Sequence, residues 1–396
     1  MISPQQRAEH LRATRNLKMA RSAHAYVRGS TVKFYEWLEA SPVGVLEGPP
    51  VWICGDCHVG NLGPLADAKG RVAVQIRDLD QTVIGNPSHD LIRLGLSLAS
   101  AARGSDLPGV TTAHILEQLM AGYETGLAGD FDAEGEKTLQ PRSVRGLLLR
   151  SIRRHWRHLA TERLNTIKPE VPLGKRFWPL DEAERAAIGD LFQEEGAHAL
   201  LTTLHSRDPR DPVELLDAAY WMKGCSSLGR LRFAVMIRIG EGPKSSLALV
   251  DLKEATAAAA PRALDVSMPR DNAVRVVTGA HALSPNLGQR MMAARLLSKA
   301  MVMRELMPQD LKLEIGSLTQ ARAMALSAYL AAVVGKAHGR QLSGQDRARW
   351  LGELAKARTS RLDAPSWLWS SVVDLLGIHE RAYLDHCRLF ALDRAA

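Results

Sequence analysis

Trp52-Ile-Cys-Gly-Asp-Cys-His-Val-Gly-Asn61, followed by Ile76-Arg-Asp-Leu-Asp80 and Gly85-Asn-Pro-Ser-His-Asp90, is the stretch on which the fold turns. The apolar run Val51 to Cys54 reads as a short buried strand that delivers Asp56 to the following loop, with Asn61 five residues later. Asp67-Ala-Lys-Gly70 is a turn signal and Val72 to Ile76 a returning strand, so the loop opens a hairpin whose far end carries Asp78 and Asp80. Asp90 then stands at the start of an apolar helical run, Leu91 to Ala102. Turn formation accounts for each Asp, Asn and Gly singly. It does not account for strand, acidic loop, hairpin, acidic strand end and helix-opening Asp occurring together in that order.

The 396-residue chain is long enough for two lobes or two domains. Its 46% apolar and 24% charged content is that of an ordinary globular protein. Aromatics make up only 5%, so the core must rest on Leu, Ala, Val and Met. A net charge of +8 favours anionic partners such as nucleotides, phosphorylated metabolites or acidic surfaces, without choosing among them. The N-terminus lacks the apolar core of a signal peptide, and the most apolar helical stretch, Ala323 to Val334, is too short to span a bilayer. Four cysteines do not form a disulfide framework in so long a chain. A cytoplasmic protein without a membrane span is the expectation; the oligomeric state is not legible.

Helical patterns run from Ser3-Pro4 to Met19, from Val32 to Leu38 and from Ala113 to Leu127. Gly129 to Arg142 reads as a loop and Val144 to Leu164 as a single amphipathic helix. Asp181 with Glu184 caps a further helix. From Lys223 the texture turns to strands: Leu231 to Ile239 and Ser246 to Leu252 flank the turn Gly240-Glu-Gly-Pro243. Arg275-Val-Val277 and Met301 to Leu306 are further strand candidates, with helix between Leu287 and Lys299. Ser317-Leu-Thr-Gln320 is a capping box opening a helix to Ala337, and Pro365-Ser366 starts a helix that Gly377 should end. The fold class is α+β, in four parts: an N-terminal helical segment (1–50), a large-lobe portion with the acidic loops (51–215), a small β-rich lobe (216–316) and C-terminal large-lobe helices (317–396).

Phosphoryl transfer needs positioned metal and a group to orient the acceptor hydroxyl more than it needs covalent chemistry. Asp56 suits the role of base, Asn61 and Asp78 suit metal ligation, and Asp80 could add a second acidic ligand. Such hard oxygen donors fit Mg2+ or Mn2+. In Lys223-Gly-Cys-Ser-Ser-Leu-Gly-Arg230, Gly224 and Gly229 would let backbone N–H groups approach a phosphate, and Ser226 or Ser227 could donate hydroxyls. Lys253 lies in an apolar strand, where an ammonium is costly unless it faces an anion.

These residues resemble the aminoglycoside phosphotransferases and related small-molecule kinases of the protein-kinase-like fold. The loop pattern of that family, His-Gly-Asp-x-His-x-x-Asn, corresponds to Cys54-Gly-Asp-Cys-His58-Val-Gly-Asn61, with Cys54 in place of the usual His. Its metal segment corresponds to Asp78-Leu-Asp80, Gly85-Asn-Pro87 and Asp90-Leu91. The resemblance implies ATP or another nucleoside triphosphate as donor, a hydroxyl-bearing or anionic acceptor, and Asp90 and His58 as residues that brace the loop. More closely, the chain resembles the bacterial family called domain of unknown function 2252, through Tyr26-Val-Arg-Gly29, Gly55 to Gly63, Asp78 to Asp80 and Val250 to Ala255. Because the catalytic loop precedes the Gly-rich loop and lysine, the resemblance implies a circularly permuted two-lobed fold, the small β-rich lobe inserted between large-lobe segments. No Glu lies between Thr256 and Met303 to pair with Lys253 from a helix; Gln289 or Glu305 would have to substitute. That gap keeps a nucleotide-binding pseudokinase without catalysis in play.

Rival readings use the same stretch. Cys54-x-x-Cys57-His58 matches a haem-attachment pattern and Cys54-x-x-Cys57 a redox pair, but both are short matches in an unsuitable context. A metal-dependent hydrolase would gather Asp56, His58, Asp78, Asp80, His89 and Asp90. Arg145, Arg150, Arg153, Arg154, Arg157 and Arg163 make the 144–164 region strongly basic. A solvated face explains it most simply; nucleic acid is a weaker alternative, since no stacking aromatics accompany it.

Overall fold

The computed structural model describes residues 4–41, 44–204, 207–223, 229–313, 318–358 and 363–392. Three helices lead: α1 (Pro4–Met19), α2 (Ala23–Gly29) and α3 (Thr31–Ala40). Four short strands follow, β1 (Val51–Ile53), β2 (Leu62–Ala66), β3 (Val72–Ile76) and β4 (Val83–Gly85). β2 pairs with β3 and β1 with β4, giving two small antiparallel ladders that hold the acidic loop between them. Helices α4 (Ser88–Arg103), α5 (Val110–Ala128), α6 (Ala133–Leu139), α7 (Arg142–Ile152) and α8 (Trp156–Leu164) come next. Then come β5 (Phe177–Trp178), α9 (Glu182–Gln193), α10 (Glu195–Thr202), β6 (Val213–Trp221), β7 (Arg232–Ile239) and β8 (Ser246–Glu254). The chain continues through α11 (Asn272–Leu283), α12 (Pro285–Gly288), β9 (Met291–Leu296) and β10 (Lys299–Glu305). It closes with α13 (Gln320–Gly339), α14 (Gly344–Lys356) and α15 (Ser366–Phe390). The architecture is α+β. Among the described residues no helix is long and apolar enough to cross a membrane.

One six-stranded antiparallel sheet, in the order β5-β6-β7-β8-β10-β9, dominates the second half. Side chains alternate across a strand, so its two faces differ in kind. Phe233, Val235 and Ile237 of β7, Val250 and Leu252 of β8, and Met301 and Met303 of β10 bury against Ile188, Leu191 and Phe192 of α9. The intervening positions place Arg232, Asp251, Lys253, Val302 and Arg304 on the other face, where the register sets Lys253 opposite both Arg232 and Val302.

The helical body is organised by α5 and α13, which pack backbone to backbone. A Cβ on Gly126 would stand 2.1 Å from the Ala332 carbonyl oxygen, and one on Gly335 would stand 2.1 Å from that of Tyr123. Only hydrogen fits at these crossings. α4 and α15 complete the apolar core with Leu91, Leu94, Leu98, Leu368, Val372 and Leu375.

Several expected elements differ. The segment read as a loop from Gly129 to Arg142 contains α6, whose N-cap Asp132 accepts from the Glu134 and Gly135 amides. The helix expected over 144–164 is broken after Ile152 into α7 and α8, with His155 capping the second. Arg275-Val-Val277 is helical: Asp271 caps α11, overriding the β-branched pair. The helix expected between Leu287 and Lys299 is only α12 and then β9, paired with β10. Gly377 does not end α15, which runs on to Phe390. Ser3 and Ser317 lie outside the described residues; Thr319 caps α13 instead, accepting from the Arg322 amide.

Candidate functional site

The acidic loop is shaped by a glycine and held by a carboxylate. Gly55 has φ of +73°, and a Cβ there would lie 2.2 Å from the Gln81 carbonyl oxygen, so the turn that presents Asp56 needs glycine. Asp90, fully buried in the first turn of α4, accepts from the Cys54 amide at 2.7 Å and the Gly55 amide at 2.9 Å. His338 of α13 meets the same carboxylate at 3.3 Å, and its other ring nitrogen meets the Tyr123 hydroxyl at 3.1 Å. The Trp350 indole donates to that hydroxyl at 3.2 Å. The Tyr35 hydroxyl donates to the Gly55 carbonyl at 2.7 Å and the Thr82 hydroxyl to that of Ile53 at 2.6 Å.

Asp56 itself is buried and accepts from Arg93 Nε at 3.0 Å, with His58 Nε2 3.8 Å from its other oxygen. Burial raises its pKa, while the Arg93 guanidinium works the other way. The Asn61 side-chain amide donates to the Asp56 carbonyl at 2.9 Å, and the Asn61 carbonyl accepts from the Arg77 amide at 2.7 Å. Loop and hairpin are thus one hydrogen-bonded unit.

The charged face of the sheet closes on this unit. Lys253 Nζ lies 3.3 Å from Asp78 Oδ1 and also contacts Asp80 Oδ2. Arg232 forks onto Asp251 at 2.8 and 2.6 Å, and Arg304 reaches the same carboxylate at 3.2 Å while donating to the Arg77 carbonyl at 3.3 Å. Arg275 ties the Thr82 carbonyl, the Asp80 carbonyl at 3.0 Å and the Thr256 carbonyl at 2.9 Å into one knot. Enclosure in the cleft would raise the Asp78 carboxyl, but Lys253, Arg304 and Arg232 hold it well below the usual carboxylate range. Asp80 is raised, by burial and then by the Asp78 charge. Between these groups Arg77, Asp78, Asp80, Asp251, Lys253 and Arg304 enclose a cavity of about 20 Å³, room for about one water.

Of the predicted site residues, Asp78, Asp80 and Lys253 line that cavity, while Asp56, Asn61, His58 and Asp90 belong to the adjoining loop unit. Gly224, Ser226 and Ser227 lie outside the described residues. Gly229 is described, with φ of +99°, just before β7. Lys223 stacks over the Trp221 ring at 3.8 Å, and burial, then Arg232, pulls its pKa well down. Glu305 is a correction: it pairs with Arg207 at 2.7 and 3.0 Å, and alternation along β10 points it away from Lys253. The carboxylate partners of Lys253 are Asp78 and Asp80 instead. Among the described residues no three His, Cys, Asp or Glu side chains are placed together to hold a metal ion. Both Asp90 oxygens are engaged by the loop. His89 sits edge-on to the Tyr35 ring at 6.0 Å, and burial lowers its pKa to about 4. Cys54 and Cys57 are free, buried thiols; their mutual hydrogen bond and then burial raise Cys54 well above its ordinary value.

Asp78 and Asp80 offer hard oxygen donors, and the Lys253 ammonium already sits against both as a stand-in cation. That donor set, with the Asn61 amide nearby, fits a magnesium-sized ion better than a soft metal. Sequence reading missed Arg93, Arg232, Arg304, Arg275 and His338. An arginine inside Leu91-Ile-Arg-Leu94, or at the period-two positions that carry Asp251 and Lys253, was the available signal.

Residues 7–389 match the family described as "Uncharacterized protein conserved in bacteria (DUF2252)", and the chain belongs to that family. No curated protein and no solved structure matches it.

Proposed function

We propose that this family member is an ATP- and Mg2+-dependent phosphotransferase acting on a hydroxyl-bearing small molecule, on a circularly permuted two-lobed kinase-like fold. One observation carries the reading. Lys253 from the sheet meets Asp78 and Asp80 from the hairpin end, beside Asp56. A strand lysine and an acidic metal segment facing one another is the relation that phosphoryl transfer requires of two lobes. Their inverted order along the chain supports permutation, which exposed joins tolerate.

In this reading Asp56 accepts the proton of the acceptor hydroxyl. Its burial raises proton affinity, and Arg93 fixes its orientation. Asp78 and Asp80, with Asn61, hold magnesium, whose chemistry is to neutralise charge on the transferring phosphates. Lys253 leaves the two carboxylates for a phosphate oxygen, and the reading gives Gly224, Ser226, Ser227 and Gly229 the role of phosphate binding. The 20 Å³ cavity is too small for a nucleotide, so binding parts the Lys253 contacts. Among the described residues the carboxylates paired with Lys253 are Asp78 and Asp80 and not a helix glutamate, which favours a second reading, a cytoplasmic nucleotide-sensing pseudokinase.

Thermal unfolding with and without ATP and Mg2+ separates these from a protein with no nucleotide site. A nucleotide at a hundred times its Kd stabilises by about 2.7 kcal/mol, and Asp78→Ala and Lys253→Ala should each remove most of that rise. No rise in the wild type sinks both readings. Phosphate release in the same samples, lost in Asp56→Asn while the Tm shift persists, identifies the enzyme.

A further inference from the structure

The basic 144–164 region is not a uniform solvated face. The helix breaks after Ile152, and Arg150, Arg153 and Arg154 around that break converge with Lys312 and Arg322 on a cavity of about 810 Å³. That volume suits a small molecule. Five cationic side chains line it against one carboxylate, Glu162. Glu162 is itself shared between Arg154 at 2.5 Å and Arg163 at 3.0 Å. Among the described residues, Arg150, Arg153, Lys312 and Arg322 have no ion-pair partner. Cations from three separate segments thus face one hollow, an arrangement that a solvated helix face does not require.

The hollow adjoins the acidic loop. A Cβ on Gly63, two residues after Asn61, would lie 2.8 Å from the Leu311 carbonyl oxygen and 3.0 Å from Arg77 Cδ, so the Lys312 segment runs directly beside the hairpin. Arg28 Nε covers Gly60, 3.2 Å from where its Cβ would be. Enclosure by the walls, then Arg28, Arg77 and Arg163, lowers the Lys312 pKa to about 8, although its side chain still reaches solvent. Lys312 thus links the cationic lining of the hollow to Arg28 and Arg77 beside the hairpin, with Glu162 as the carboxylate among them.

We propose that this pocket binds a small molecule carrying two or more phosphate groups, and that this molecule is the acceptor whose hydroxyl is presented to Asp56. The acceptor role rests on the phosphotransferase reading; the polyanion site does not. Arginine's planar fork matches phosphate oxygens two at a time, and arginines from two segments, Arg150 and Arg153 on one and Arg322 on the other, can hold separate phosphates. A polycation of the aminoglycoside kind is repelled here.

Calorimetric titration of the full chain with inositol hexakisphosphate, kanamycin and a twelve-nucleotide single-stranded DNA tests the site, with MgATP titrated separately. The wild type should bind inositol hexakisphosphate in the micromolar range, more weakly as salt rises, and give no heat with kanamycin. Arg150→Glu/Arg322→Glu should raise that Kd at least 30-fold. Should that variant not fold, Arg150→Gln/Arg322→Gln should raise it at least tenfold with an unchanged circular dichroism spectrum. Unaltered affinity in a folded variant overturns the site, as does absence of binding by the wild type. DNA binding tenfold tighter than the small probe, lost in the same variant, would assign the groove to nucleic acid and overturn the small-molecule assignment. MgATP binding without probe binding sinks only this inference; probe binding without MgATP binding sinks the phosphotransferase reading and leaves the polyanion pocket standing.

Discussion

Asp251 and Leu252 are neighbours on β8, almost equally inaccessible to solvent, and they point to opposite faces of the six-stranded sheet. Leu252 joins an apolar layer against α9, where each Å² removed from water contributes roughly 25 cal/mol. Asp251 anchors two arginines on the cleft face, beside Lys253. Burying a charge costs several kcal/mol before its partners offset it, so such a cluster roughly breaks even at best. The sheet is therefore held by apolar packing on both faces, against α9 on one side and α8 on the other, with the charged cluster set into the second. The contrast argues for function because stability alone would have been served by continuing the apolar packing of Ala234, Met236 and Leu249 across that face.

The largest effect should come from Asp251→Ala, which leaves Arg232 and Arg304 uncompensated; urea unfolding should show a loss of about 3–5 kcal/mol. Replacing all three charges, as Asp251→Leu with Arg232→Met and Arg304→Met, should recover most of that loss and abolish the MgATP-dependent rise in Tm. A triple variant no more stable than Asp251→Ala would break the comparison, since the charges would then be structural. Leu252→Ala should cost about 2–4 kcal/mol by the same measurement, with the nucleotide response intact in the folded protein. Lys253→Met should cost about 1 kcal/mol or less, because the carboxylates it bridges, Asp78 especially, still reach water, yet it should lose the Tm response to MgATP.

Acid should dismantle the regions in sequence. Burial lowers His89 in α4 and His379 in α15 to about 4, so both are neutral when folded and bind protons on unfolding at higher pH. Their contribution is complete above the unfolded pKa of about 6.5 and is lost as pH falls towards 4. Asp78 and Asp251 are depressed carboxylates, whose contribution disappears only below the unfolded value of about 3.9. Stability measured against pH should fall in two stages. His379→Asn should flatten the first by about half and leave the second unaltered.

The legible parts were those where local chemistry and spacing agree. Gly55, Asp56, Asn61 and Asp78 sit in a strand, a turn and a hairpin whose signals span few residues, and Lys253 stood out as a lone cation in an apolar strand. What stayed hidden depends on long-range partners. Val276 and Val277 favour strand locally, but Arg275 beside them is fixed by three carbonyls from distant segments, and α11 follows. The break between α7 and α8 carries no Gly or Pro; Arg154 makes it by donating to the Pro308 carbonyl at 2.6 Å, a contact no local pattern announces. Arg93 and His338 look like ordinary helix residues until Asp56 and Asp90 are placed beside them.

The support beneath Asp90 bears on the order in which the protein is made. His338 is 248 residues downstream of the carboxylate it steadies, and Trp350 comes later still. A ribosome adding 5–20 residues per second needs roughly 12–50 s to cover that distance. The loop around Asp56 thus emerges well before the helix that gives it its final shape. Until α13 docks onto α5, a nascent chain carries its acidic residues without the geometry that joins them, so the assembled cleft should arrive with completion of the fold rather than with synthesis of the loop.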